Sequence, residues 1–216
     1  MTTFRSVKRV LCVAAHYDDE ALFFGGTLAR LHEQGADIHI AVLTGVRYCN
    51  PPKTPEQEVR EDVRQRIRLG AFARVCVDLH ARAYHYDLEQ VAEAAEPAIV
   101  KQKASRAVLN LSMAITPDLI LTHGSDGDYA SGQFGGYDVP RAQHQLAHDA
   151  VAAGAIATER WARDLSGAIK IETGSKQRLA LLDYYRYGCT QAPEWPAERW
   201  YPNWANASEE RYSAIE

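Results

Sequence analysis

The stretch RVLCVAAHYDDE (residues 9–20) joins an apolar run to a cluster of side chains that can carry out chemistry. Residues 9–14 form a short segment rich in Val and Leu, which predicts a buried strand. An imidazole at His16 and three consecutive carboxylates at residues 18–20 follow directly. Such groups at the end of a buried strand are typical of a metal-dependent hydrolase, and they are not expected in a core.

The spacing inside this cluster indicates different roles for its members. Side chains of neighbouring residues point in different directions, so Asp18 and Asp19 are not expected to do the same job. His16 and Asp19 are three residues apart and can converge on one cation that takes nitrogen and oxygen ligands. Asp18 would then face the open side of the cation and act as general base toward a metal-activated water. The alternative is that these acidic residues only stabilise the N-terminus of a helix.

Two histidines further along the chain are candidates for a third metal ligand. His144 and His148 are four residues apart in a segment that starts at Pro140, a residue suited to the first turn of a helix. Histidines at this spacing share one helical face. The spacing alone leaves open which of them binds metal. Without His16 and Asp19, the segment would be interpreted as a solvated helix.

The order of these residues resembles the Ala-His-Pro-Asp-Asp-Glu signature of the LmbE-like (PIG-L) family of zinc-dependent N-acetylglucosamine deacetylases. The present chain has Ala-His-Tyr-Asp-Asp-Glu at residues 15–20, with Tyr17 in place of the proline. Similar segments follow in the family's order at residues 21–28, 38–45 and 144–151. Weaker similarity is found in Arg60-Glu61-Asp62 with Leu69-Gly70, and at residues 117–124. The resemblance covers most of the chain.

The resemblance implies a Rossmann-like fold and a zinc ion held by His16, Asp19 and His144, with Asp18 as general base. It also implies the reaction, which is removal of an acetyl or similar acyl group from an N-acylated amino sugar or glycoside by attack of a zinc-bound water. Iron(II) and cobalt(II) are compatible with the same donor atoms.

A second position departs from the family's pattern. The family's downstream His-Pro-Asp-His aligns with residues 141–144, so Arg141 replaces the histidine that assists the tetrahedral intermediate. We expect Arg141 to stabilise the oxyanion, although an arginine does not donate a proton at neutral pH. The proton for the leaving amine would come from His148, His123, a tyrosine or Asp18.

Several polar residues are candidates for contact with the sugar. The family places an arginine and an acidic residue around its substrate, which implies such roles for Arg47, Arg60 and Asp87. His123 and Tyr129 follow a predicted strand and are further candidates. The arginines are alternatively ordinary surface or helix-pair charges.

Alternating strands and helices predict the fold class, which is α/β: a single Rossmann-like three-layer domain with a mostly parallel central sheet. The predicted strands are residues 8–14, 37–43, 75–79, 118–122 and 167–172. The predicted helices are residues 54–70, 88–114 and 175–187, the second of them broken or offset near Pro97. Polar segments follow three of the strands, and ligands collect at the carboxyl ends of strands in open parallel sheets. A Gly-x-Gly-x-x-Gly pattern is missing from the sequence, which disfavours a nicotinamide enzyme.

Length and composition favour one compact enzyme. The 216 residues suit a single domain over residues 1–216, in which residues 188–216 form an aromatic C-terminal tail. The net charge of −4 and the lack of an apolar N-terminal segment predict a cytoplasmic protein. Its predicted partner is a small amino-sugar molecule, with no nucleic acid and no membrane. Whether it forms a homo-oligomer is left open by the sequence.

Two other functions compete with deacetylation of an amino sugar. The same centre could cleave another small amide, such as a thiol conjugate or an antibiotic intermediate, because the metal does not define the leaving amine. The replaced histidine also allows a non-catalytic relative that only binds sugar or metal.

Overall fold

A central sheet with helices on both faces organises the chain. The computed structural model describes residues 4–45, 54–128, 138–157, 159–164, 166–173, 175–185 and 209–215. Its strands are β1 (Arg9–Ala14), β2 (Asp37–Thr44), β3 (Arg82–Leu88), β4 (Leu119–Thr122), β5 (Glu159–Arg163), β6 (Ile169–Glu172) and β7 (Glu209–Ala214). Its helices are α1 (Asp19–Leu22), α2 (Gly25–Glu33), α3 (Pro55–Asp78), α4 (Pro97–Ile115), α5 (Asp138–Ala152) and α6 (Ser175–Asp183).

The strand order in the sheet is β3-β2-β1-β4-β5-β7-β6. The five strands β1 to β5 are parallel to one another, and β7 is antiparallel to both β5 and β6. Starting from β1, the next strands in the chain, β2 and β3, lie on one side of it in the sheet, and β4 and β5 lie on the other side. The order therefore reverses between β1 and β4, and a crevice at their carboxyl ends is the expected ligand site of such a sheet.

Strand β1 shows how the sequence produces three layers. Val10 and Cys12 face one side of the sheet and pack in the core beneath α2, α3 and α6. Leu11 and Val13 face the other side and pack in a second core beneath α4 and α5. Because both faces of the strand are covered, its residues are apolar without alternation, as expected for a parallel sheet. The predicted fold class is confirmed.

Helix α3 corrects one strand prediction. Residues 75–79 are predicted as a strand, but the helix continues through them to Asp78. Buried side chains recur at helical spacing over residues 72–79, and a short apolar run does not distinguish the two cases. Gly70 therefore lies inside the helix and does not end it. The turn after the helix has His80 in the left-handed region, with φ 48°.

Three strands, β3, β5 and β7, are missing from the prediction, and one predicted helix is too long. β5 and β7 carry charged residues among few apolar ones, so neither has the apolar pattern on which the prediction depends. The helix predicted from residue 88 begins only at Pro97. Within the predicted aromatic tail, residues 188–208 lie outside the described residues, and β7 forms the end of that segment.

Candidate metal centre

The loop after β1 separates the two aspartates of the motif. Asp18 has φ 116° and ψ −25°, a backbone conformation that costs a non-glycine residue about 1–3 kcal/mol. Its carbonyl accepts the N–H groups of Ala21 and Leu22, at 3.1 and 2.8 Å, so Asp18 opens helix α1. Asp19 is the first residue of that helix. Its side chain is 3% exposed, whereas that of Asp18 is 13% exposed, so the two carboxylates occupy different environments as predicted.

The carboxylate of Asp19 lies at the centre of a cluster of imidazoles. Its Oδ2 accepts the backbone N–H of His16 at 2.7 Å. The same oxygen is 3.5 Å from Nδ1 of His16, 3.3 Å from Nε2 of His123 and 3.3 Å from Nε2 of His144. One ligand atom from each of His16, Asp19 and His144 can be chosen so that all lie within 4.8 Å of one another. These are the three residues that the resemblance implies as ligands.

Asp128 holds two of the imidazoles by their far nitrogens. Its Oδ2 accepts Nδ1–H of His123 and Nδ1–H of His144, the second at 3.1 Å. Nε2 of His123 accepts the backbone N–H of Ala15 at 3.1 Å, which is consistent with a proton on its Nδ1. In its neutral form with the proton on Nδ1, His144 would present the lone pair of Nε2 to a metal on the side of Asp19. A carboxylate on the far nitrogen is the usual outer partner of a metal-ligating histidine.

The charges in this cluster are tightly coupled. Burial by itself raises the pKa of the Asp19 carboxyl, but His144 and His123 outweigh burial and hold that pKa well below its usual range. The pKa of Asp128 is lowered against burial by the same two imidazoles. Burial lowers the pKa of His144, but Asp19 and Asp128 together raise it to about 10. Both carboxylates therefore favour the protonated form of His144.

The donor atoms fit a divalent metal. Two imidazole nitrogens and one carboxylate oxygen, with further positions left for water or substrate, are a usual ligand set of catalytic zinc. The candidate ligands are 6% exposed or less as residues, so they are held in a low-dielectric environment. Metal binding would replace the proton that the cluster holds, since ligands bind in their deprotonated forms.

Comparison with known proteins identifies the family. A family model described as "PIG-L: GlcNAc-PI de-N-acetylase" matches residues 11–155. The chain belongs to the PIG-L family. The resemblance stated from the sequence is therefore confirmed, and the chain is placed in a family of metal-dependent deacetylases.

A curated relative and two solved structures extend this comparison. The chain is 32% identical over 163 residues to a 1D-myo-inositol 2-acetamido-2-deoxy-alpha-D-glucopyranoside deacetylase from Corynebacterium kroppenstedtii, covering 66% of this chain. It spans only 40% of the length of that relative. The N,N'-diacetylchitobiose deacetylase of Pyrococcus horikoshii superposes with a TM-score of 0.70 at 15% identity, over 98% of this chain and 85% of the other.

The second structure shows that the PIG-L fold does not define the reaction. The 4-carboxy-2-hydroxymuconate hydratase of Pseudomonas putida superposes with a TM-score of 0.61 at 18% identity, over 97% of this chain and 96% of the other. Both structural likenesses support the three-layer fold alone. The reaction must therefore be argued from the side chains of the PIG-L site.

Arg141 and His148, the other residues predicted to take part in the reaction, lie in helix α5 on either side of His144. Nε of Arg141 donates to the carbonyl of Asp126 at 2.8 Å, in the loop that carries Asp128. Nδ1 of His148 is 3.3 Å from a carboxylate oxygen of Asp149, one helical turn from His144. The role of Arg141 at an oxyanion stays a prediction.

Of the residues predicted to bind substrate, His123 is buried in the cluster itself. Its ring is 0% exposed and lies 3.8 Å from the ring of His144, measured between centroids, so it is not on an open substrate wall. Asp87 is exposed at the end of β3 and lies against the backbone of Gly45, after β2. Arg47, Tyr129 and the side chain of Arg60 lie outside the described residues.

Sequence reasoning missed several residues that the structure brings to the PIG-L site. Asp128 follows His123 in the loop after β4. Its position after a strand could be recognised from the sequence, but its contacts with two histidines could not. Nη2 of Arg68, in α3, lies 3.9 Å from Oδ2 of Asp18. The amides of Gln90 and Gln143 are buried near the candidate ligands: Gln90 contacts His16, and Gln143 precedes His144 in α5. No local pattern indicates these roles, because each depends on a contact distant in sequence.

Proposed function

We propose that the protein is a zinc-dependent N-deacetylase that removes an acetyl or similar acyl group from an N-acylated amino sugar or glycoside. The observation that carries this proposal is the convergence of His16, Asp19 and His144 beside the strained Asp18. The names of the family and of the curated relative, both of which refer to de-N-acetylation of a glucosamine derivative, support the substrate class.

His16, Asp19 and His144 would hold the metal, and their mixed nitrogen and oxygen donors favour zinc over harder cations. Zinc supplies a Lewis acid that acidifies water and polarises a carbonyl group. Asp128 would keep the ring of His144 in place through its Nδ1–H. Iron(II) and cobalt(II) are the alternatives that a metal analysis would distinguish.

Asp18 is the proposed general base. Its carboxylate is more open than that of Asp19, and the guanidinium of Arg68 lies 3.9 Å from it, which favours the ionised form of a base. Asp18 takes a proton as water adds to the amide carbonyl carbon. When the carbon–nitrogen bond breaks, the same proton passes to the amine. The products are a free amino sugar and acetic acid, which releases the second proton of the water and becomes acetate at neutral pH.

The other candidates for proton donor are less well placed. Both ring nitrogens of His123 are in hydrogen bonds, one with Ala15 and one with Asp128, and the ring is buried. Nδ1 of His148 is near Asp149. We therefore assign the transfer in both directions to Asp18.

Other features of the protein stay predictions. In the described part of the chain, no helix combines the length and the apolar character that a membrane span requires. We propose a cytoplasmic protein of one domain that acts on a small molecule, without nucleic-acid or membrane partners. Its homo-oligomeric state is to be measured.

Zinc stoichiometry and acetate release test the proposal. We expect about one zinc per chain by elemental mass spectrometry, and acetate release from N,N'-diacetylchitobiose or an inositol-linked N-acetylglucosamine. The variant Asp18→Asn should keep its zinc and lose about 10²–10⁴-fold in kcat, the usual contribution of a general base. Asp62→Asn makes the same change at an exposed position on α3 and should behave as wild type.

Three results would contradict the proposal. If the protein holds no metal after reconstitution with zinc, or if the zinc-loaded protein releases no acyl group from any of these substrates, the result would favour a non-catalytic binding protein or an amidase of another kind. Full turnover by the Asp18→Asn variant would remove Asp18 as the base.

A further inference from the structure

A buried amide lies against the metal-ligand candidate His16. Gln90 is two residues beyond the end of β3 and is 2% exposed. Its carboxamide nitrogen is 2.9 Å and its Oε1 3.3 Å from Nε2 of His16. The other ring nitrogen, Nδ1, faces Oδ2 of Asp19 at 3.5 Å. The two nitrogens of His16 therefore face different partners, the ligand cluster and an uncharged amide.

Gln90 is itself held in place by a second buried amide. Oε1 of Gln143 accepts the backbone N–H of Val91 at 2.8 Å, and its Nε2 lies 3.3 Å from the carbonyl of Glu89. The same Nε2 donates to the hydroxyl of Thr44 at 2.9 Å. Both chain neighbours of Gln90 are thus tied to helix α5 at the residue before a ligand candidate.

The chemistry of a neutral imidazole gives this contact a function. A histidine that binds metal through Nδ1 carries its proton on Nε2, and a buried N–H needs an acceptor. Rotation of the Gln90 carboxamide by half a turn exchanges its oxygen and nitrogen, so a proton on Nε2 of His16 selects the oxygen as partner. The amide supplies this acceptor without adding a third negative charge beside Asp19 and Asp128.

We propose that Gln90 is a positioning residue that fixes His16 with its proton on Nε2 and its Nδ1 directed at the metal, and that Gln143 fixes Gln90. The inference rests on the proposed function, since it needs a metal at the cluster. In this inference Gln143 holds the turn after β3 in place, and it does not contact the metal directly.

Zinc affinity is the first test. Gln90→Met keeps nearly the same length but removes the acceptor, and we expect zinc binding to weaken about 10–100-fold, as for other outer partners of ligating histidines. Gln90→Glu restores an acceptor and should bind zinc at least as tightly as wild type. Gln102→Met makes the same change at an exposed site on α4 and is the control. Affinity is measured by competition with a chromophoric chelator, and folding by circular dichroism.

Nitrogen-15 spectra of histidine-labelled, zinc-loaded wild type give a second test that needs no variant. We expect His16 to be ligated at Nδ1 and to show a slowly exchanging proton on Nε2. Ligation through Nε2 would overturn the inference, whether or not the variants fold.

The outcomes separate this inference from the proposed function. If wild type binds zinc and Gln90→Met binds it within about threefold, against the 10–100-fold expected of an outer partner, the positioning role is wrong while the metal centre stands. If wild type binds no zinc, the metal centre and the positioning role are both wrong.

Discussion

The two halves of the candidate metal centre are built in different ways. His16, Asp18 and Asp19 lie within four consecutive positions after one strand, and a single loop with one strained residue sets their directions. Gln90, Asp128 and His144 come from the turn after β3, the loop after β4 and helix α5. The first half is local in sequence, and the second half exists only when three separate elements have packed.

This difference separates the chemistry of the centre from its affinity for metal. The local half offers the base and two candidate ligands from one loop, although Arg68 contacts Asp18, Gln90 contacts His16 and Tyr185 contacts Glu20. The assembled half supplies the third ligand and the outer partners that orient the imidazoles. Substitutions there should act through metal binding, and they provide ways to test whether the two halves are as separate as the structure indicates.

The largest effect is expected at His144. His144→Ala removes one of three proposed protein ligands, and we expect zinc to be lost together with metal-dependent turnover. His148→Ala, one turn further along α5, should keep both, because Nδ1 of His148 is near Asp149 and the ring is outside the cluster. Elemental mass spectrometry of the two variants decides. Zinc retained without His144 and lost without His148 would move the ligand by one turn.

The proximity of the residues in the local half could be predicted from the sequence, while their roles stay predictions. A histidine and two aspartates after an apolar strand could be interpreted from spacing alone, because neighbouring residues cannot move apart. The parallel sheet was predicted for a related reason, since strands such as β1 are buried on both faces and therefore apolar throughout. The resemblance to PIG-L added His144 as the favoured third ligand.

The assembled half could not be predicted because its contacts join distant residues. Asp128 binds His144 by side chain, and Gln143 holds the turn that carries Gln90, yet neither pair leaves a periodic pattern. The helical end of α3 was mistaken for a strand because a short apolar run fits both structures. Charged strands such as β5 are stabilised by their neighbours and not by their own sequence pattern.

An intermediate effect is expected at Asp128. Asp128→Asn keeps the size of the side chain but weakens its hold on two imidazoles, so zinc affinity should fall about 10–100-fold while the fold is kept. Asp149→Asn removes an exposed carboxylate from α5 and serves as the control. Chelator competition measures both. Unchanged affinity in the Asp128 variant would show that His144 is oriented by packing alone.

The smallest effect tests whether the local half is truly independent. One carboxylate oxygen of Glu20 accepts the hydroxyl of Tyr185, and the other accepts the backbone N–H of the strained Asp18, at 3.1 Å. Both Glu20 and Tyr185 are 0% exposed. Tyr185→Phe removes only the hydroxyl, and we expect it to lower the free energy of unfolding by about 1 kcal/mol and to lower kcat, with zinc affinity unchanged.

Tyr184→Phe is the matched control, because its hydroxyl donates to Asp78 in an exposed contact at 2.6 Å. Urea denaturation and acetate release should separate the two variants, since loss of an exposed hydrogen bond costs less than loss of a buried one. If both variants unfold and turn over alike, the loop after β1 holds Asp18 without support from Tyr185. The local half would then keep its shape without this distant contact, and the contrast between the two halves would be sharper than the structure alone indicates.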